Sequence, residues 1–99
     1  MIEISFEDIK LFIEQTVGVA VLDIGKESAD FVCHYLSHDE YEMAFEALFI
    51  EVMKLKSPPL IDLKMANEIA IFLRLNEETV FYPNFWPDFE KFTSEYLTE

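Results

Sequence analysis

The segment HDEYEMAFEALFIEVMKL, His38 to Leu55, constrains the fold more than any other part of the chain. At about 100° per residue, Tyr41, Ala44, Phe45, Leu48, Val52 and Leu55 share one arc of a helical wheel. Met43, Ala47 and Ile50 fall on a second apolar arc. A helix with two apolar arcs is packed from two sides, so this one is expected at the centre of the domain.

The flanking sequence supplies its neighbours. Ser5 followed by Asp8 reads as an N-cap with an acid in the first turn. Phe6, Ile9, Phe12, Ile13 and Val17 then recur at helical spacing, which predicts a helix over about 5–17, with Gly18 near its stop. VAVLDIG reads as a helix end plus a connector closed by Gly25. KESADFVCHYL places Ala29, Val32, Cys33 and Leu36 on one face of a second helix. Ser37 with Glu40 has capping-box spacing and starts the central helix, which runs to about Lys56. Ser57-Pro58-Pro59 ends it, and Lys54 and Lys56 suit the negative end of its dipole.

Pro59 can occupy the first turn of a fourth helix, LIDLKMANEIAIFLRL, with Arg74 near its C-terminus. After Asn76, NEETVFYPNFWPDF reads as an ordered, irregular connector whose Phe81, Phe85, Trp86 and Phe89 plug the end of the bundle. Asp88 to Leu97 forms a last short helix with Phe89, Phe92 and Tyr96 inward. The expectation is an all-α, compact single domain over residues 1–99, a bundle of about five helices.

Charge narrows the range of partners. The chain carries 20 acidic and 7 basic residues, a formal net charge of −13, so nucleic acid and anionic membrane are repelled and a basic partner is favoured. The lone Cys33 forms no intrachain disulfide. Glu3, Glu7 and Asp8 stand where a signal peptide carries positive charge, and no apolar run approaches a membrane span. A cytoplasmic protein is expected.

An acidic strip crosses the central helix: Asp39, Glu42 and Glu46 on one line, Glu40 and Glu51 on another. Like charges three and four residues apart cost about 0.2–0.5 kcal/mol per pair, and no Lys or Arg within the helix relieves Glu42 or Glu46. The strip is either a solvated face or a landing site for a cationic surface, and composition leaves both readings open.

Other chemistry finds little support. His34 and His38 are four apart, but a helix break at Ser37 would separate them, and Cys33 reads as a small core residue. The sequence has no phosphate-binding glycine loop, no Gly-x-Ser-x-Gly elbow and no metal-hydrolase signature. It is read as a binding protein rather than an enzyme, with no cofactor and no metal.

Two segments carry a resemblance. HDEYEMAFEALFIEVMKL is similar to a recurrent pattern in small bacterial immunity proteins: an acid-rich helix start (Asp39, Glu40, Glu42), then Ala44, Glu46, Leu48 and Glu51. LNEETVFYPNFWPDFEKF resembles their C-terminal signature, a Leu-Asn turn followed by Phe85 and Trp86 leading into a last helix. The family is that of contact-dependent growth inhibition immunity proteins, of the CdiI and MafI types. The resemblance covers roughly residues 36–56 and 75–93. It implies a small helical protein that binds a cognate toxin C-terminal domain, often a nuclease with a basic cleft, and silences it. On that implication Asp39, Glu42 and Glu46 contact the partner, Glu77 and Glu78 form a second acidic patch, and Tyr41 and Tyr82 are aromatic anchors. The competing expectation is an adaptor that docks an unrelated partner in an apolar groove built on Met43, Phe49 and Met53. An exposed strip of that kind would also suit a homodimer.

Overall fold

The computed structural model describes residues 3–96. Five helices follow in chain order: α1 (Phe6–Ile24), α2 (Lys26–Ser37), α3 (Tyr41–Met53), α4 (Leu63–Phe72) and α5 (Phe85–Tyr96). No strand occurs among the described residues. The protein is an all-α bundle, and its radius of gyration of 12.3 Å is that of one compact body of this length.

Helix α3 is central, as its two apolar arcs require. It packs against α1, α2 and α5, and α4 closes onto α5. Ala44, Phe45, Leu48, Phe49 and Val52 of α3 are fully buried. Phe45 and Phe49 stack with centroids 4.7 Å apart, Phe85 and Phe89 with centroids 5.4 Å apart, and Phe49 meets Phe89 edge to face at 5.3 Å. All four rings lie out of water, and such contacts contribute beyond their area burial.

The first helix starts where its cap predicts. Ser5 Oγ accepts the Asp8 N–H and Asp8 Oδ2 accepts the Ser5 N–H, both at 3.1 Å, a complete capping box. It does not stop near Gly18. Val17 and Ala20 are buried and Val21 and Ile24 half-buried, so the apolar stripe continues and outweighs the glycine penalty of about 1 kcal/mol. The break falls at Gly25, with φ 94° and ψ 153°. Its N–H donates to the Val21 carbonyl and its own carbonyl accepts from Ala29, so one residue ends α1 and opens α2.

Ser37 does not cap α3. It is the last residue of α2, and its Oγ donates to the His34 carbonyl at 2.7 Å. The chain reverses over His38–Glu40, with Asp39 in the left-handed region at φ 58°, and α3 starts at Tyr41 without a side-chain cap. It ends at Met53, short of Lys56. Pro59 lies ahead of α4 rather than in its first turn, because Asp62 is the N-cap and its Oδ1 accepts the Met65 N–H at 3.0 Å. Arg74, at φ 63°, lies beyond the end of α4 in the turn that follows.

Helix α5 takes in Phe85 and Trp86, with Pro87 in the first turn where its missing N–H costs nothing. Phe89 and Phe92 point inward, whereas Tyr96 and Phe81 are each 42% exposed, and Leu97 lies outside the described residues. Phe85 and Phe89 fill the bundle end, Trp86 packs partly buried against them, and Phe81 stays outside. Cys33 is exposed on α2 and belongs to no core. Phe49, expected as a groove anchor, is wholly interior and unavailable to any partner.

Candidate functional site

The site begins with a glutamate that is not on the surface. Glu46, expected to face a partner, is 0% exposed. It stands among apolar residues: Met43, Phe49, Ile50 and Met53 occupy the neighbouring positions on its side of α3, which turns it inward. Its charge is met by backbone. Oε1 accepts the Val80 N–H at 2.7 Å, and Oε2 accepts those of Phe81 at 2.9 Å and Tyr82 at 2.8 Å. Three successive amides converging on one carboxylate form an anion nest. The segment between α4 and α5 is thereby fixed as a ridge over α3.

One flank of the ridge is an acidic concavity of about 710 Å³. Asp39, Glu40 and Glu42 enter it from the α2–α3 turn and the start of α3, and Glu77 and Glu78 from the turn after α4. The second turn is built on Arg74, whose carbonyl accepts the N–H groups of both Glu77 and Glu78 at 3.0 Å. Among the described residues lining the concavity Arg74 alone is basic, and it pairs with Glu77 at 2.9 Å. Met43, Leu73, Thr79 and Val80 complete the wall. Five carboxylates against one guanidinium in a concave site concentrate negative potential.

The two expected tyrosine anchors lie off this concavity. Tyr41 is half-buried, stacks on Phe6 with centroids 5.0 Å apart, and donates its hydroxyl to Asp39 Oδ1 at 3.1 Å. Burial, then the Asp39 hydrogen bond and charge, holds its phenol above the ordinary value. Tyr82 lies across the ridge, in a groove of about 550 Å³ between α3 and α5 whose apolar floor of Ile50, Met53, Phe81 and Phe92 is bordered by Lys54, Asp88, Lys91 and Glu95. Its hydroxyl donates to Asp88 Oδ2 at 2.8 Å, and that bond, with burial and the Asp88 charge, raises its pKa.

Of the seven residues expected to bind a partner, Asp39, Glu42, Glu77 and Glu78 therefore share one concavity. Tyr82 borders a separate groove, Tyr41 packs on α1, and Glu46 supports the ridge from below. Its apolar neighbours at three, four and seven residues were the sequence signal for that burial. Met43 and Met53, the other groove anchors expected, lie on opposite sides of the ridge.

Helix α2 ends at Ser37, between His34 and His38, yet the break does not part their side chains. Their exposed rings lie 4.7 Å apart at the C-terminal end of α2. Among the described residues, no group of three or more His, Cys, Asp or Glu could hold a metal ion. No helix there is long and apolar enough to cross a membrane. No protein-family model, no curated protein and no solved structure matches the chain.

Proposed function

We propose that the chain is an immunity protein that binds the C-terminal domain of a cognate toxin, a domain with a basic surface, and neutralises it. The observation that carries this reading is the meeting of Asp39, Glu40 and Glu42 with Glu77 and Glu78 in one concavity, from segments more than thirty residues apart. The two segments are also those whose sequence resembles contact-dependent growth inhibition immunity proteins.

The chemistry of such a site favours guanidinium and ammonium groups. Arginine side chains can approach the carboxylates in a fork, each pairing being a charge-assisted hydrogen bond. The net charge of −13 steers a cationic domain toward the site before contact, which raises the association rate more than the final affinity. A carboxylate array of this kind also stands in for the phosphates of a nucleic acid, so a basic nuclease cleft fits it. On this reading the protein works in the cytoplasm and catalyses nothing itself.

A second reading draws on the groove between α3 and α5. Ile50, Met53, Phe81 and Phe92 there could seat an apolar segment of an unrelated partner, as in a helical adaptor. Capture from native lysate at low salt, a salt-step elution and mass spectrometry separates the two. Release of a basic toxin domain by salt supports the immunity reading. Repeated recovery of a neutral or acidic partner that salt does not release overturns it.

A further inference from the structure

We propose that Glu46 is the positioning residue of the partner interface, holding the Val80–Tyr82 ridge from beneath so that both of its flanks keep their shape. The inference rests on the immunity reading for what binds there, and on geometry for the device itself.

Apart from Glu46, two exposed side-chain contacts hold the ridge: Phe81 meets Tyr35 with ring centroids 5.7 Å apart, and the Tyr82 hydroxyl donates to Asp88. The linker from α4 to α5 is anchored at its ends by Leu75 and Phe85, both fully buried. Between them, from Asn76 to Asn84, no side chain is buried. A segment held only by such exposed contacts samples many conformations unless backbone hydrogen bonds select one. Glu46 supplies that selection, because its carboxylate accepts from three consecutive amides at 2.7–2.9 Å. No lysine, arginine or histidine pairs with it among the described residues. A buried carboxylate without a cation is tolerated only while those amides face it, so the charge and the ridge conformation require each other.

The ridge in turn shapes both surfaces. Thr79 and Val80 wall the acidic concavity, and Phe81 and Tyr82 wall the aromatic groove. A cationic partner lying across the ridge would meet carboxylates on one side and, on the other, aromatic rings bordered by Lys54, Lys91, Asp88 and Glu95, so its apolar groups would fit there and its cations on the acidic flank. Glu46 touches none of this partner and still sets the spacing between the two halves.

The test compares wild type with Glu46→Gln and Glu46→Asp. The first keeps length and loses the charge; the second keeps the charge and falls one methylene short of the amides. Two quantities are read: amide hydrogen exchange at Val80, Phe81 and Tyr82 against Leu48 and Phe89, and affinity for a nona-arginine peptide. A positioning role requires both variants to speed exchange at the ridge about tenfold or more while Leu48 and Phe89 stay protected. It also requires both to weaken nona-arginine binding about threefold or more, which a pure loss of charge would not produce in Glu46→Asp. Should Glu46→Gln fail to fold, Glu46→Asp carries the same comparison. Unchanged ridge exchange in a folded variant overturns the latch, and so does an equal rise at Leu48 and Phe89. Faster ridge exchange with unaltered peptide affinity overturns the interface role. Wild type that ignores nona-arginine, with ridge exchange responding as expected, overturns the cationic-partner reading and with it the interface role, and leaves the latch standing.

Discussion

Glu46 Oε2 accepts the backbone N–H of Tyr82 at 2.8 Å, a bond between residues 36 apart in the chain. It joins the middle of α3 to the linker ahead of α5, two parts of the sequence with no local reason to meet. A carboxylate in an apolar interior is unfavourable unless its oxygens find donors, and here every donor is main chain. The same bond explains why an acid can interrupt the apolar side of the central helix without unfolding it.

Removing that acid should therefore cost far more than removing its neighbour. Glu46→Ala leaves three amides without their acceptor and opens a void beside Phe49, and about 2–4 kcal/mol of stability should be lost. Glu42 is exposed on the same helix, and Glu42→Ala should stay within about 0.5 kcal/mol of wild type. Urea denaturation of the two variants gives the comparison directly. Equal midpoints would mean that the ridge bonds contribute nothing net.

Charge reversal in the concavity should separate stability from binding. Glu42→Lys relieves repulsion from Asp39 and Glu40 but puts a cation in the first turn of α3, where the helix dipole favours an acid, so the two effects offset and stability should stay within about 0.5 kcal/mol of wild type. The same substitution should slow association with a cationic partner about tenfold at low salt and flatten its salt dependence. Glu78→Lys, on the other wall, should do likewise. Stopped-flow association with an arginine-rich peptide across a salt series reads both effects. An unchanged rate for Glu42→Lys and Glu78→Lys together would remove the concavity from the interface.

The glycines make a paired prediction, with opposite signs. Gly18 is an exposed interior residue of α1 with open space where a Cβ would go, so Gly18→Ala should stabilise by about 0.5–1 kcal/mol. Gly25 also has open space, but its φ of 94° and ψ of 153° fall in a region essentially confined to glycine. Gly25→Ala should therefore destabilise by about 1–3 kcal/mol. Thermal denaturation of the two variants should show melting points displaced to either side of wild type.

These two residues also show what was legible beforehand and what was not. Helix number, the Ser5 cap, the extent of α2 and the central place of α3 follow from local spacing, which survives into the fold. Gly18 looks like a stop and Gly25 like the end of a connector, since nothing local reveals that Val17 and Ala20 join the core and that Ile24 packs against it. Ser37 and Glu40 have capping-box spacing, yet the chain turns between them at Asp39 and each serves a different helix. The site divides the same way. Asp39, Glu42, Glu77 and Glu78 are legible as acids, but their meeting depends on how the chain crosses α3 after α4. Glu46 looks like one of them because charge is visible in a sequence and the amides that satisfy it are not.

Tyr82 gives a prediction in pH. Its hydroxyl donates to Asp88, and this bond, then burial, then the Asp88 charge, holds the phenol above the ordinary value of 10.0. The folded chain thus keeps a proton that the unfolded chain releases near pH 10, so the contribution is fully present below that pH. It is lost as pH rises from the unfolded value through the folded one. Tyr41 shifts the same way, through burial first and then Asp39, so the two add to one alkaline slope. Tyr82→Phe removes both the donor and the titration. It should be less stable than wild type near pH 7, and the gap should close above about pH 10. Urea midpoints of the two proteins across that range decide the matter. A gap that stays constant with pH would show that the Tyr82 hydroxyl's contribution does not depend on its proton, and would set aside the bond to Asp88 as its source.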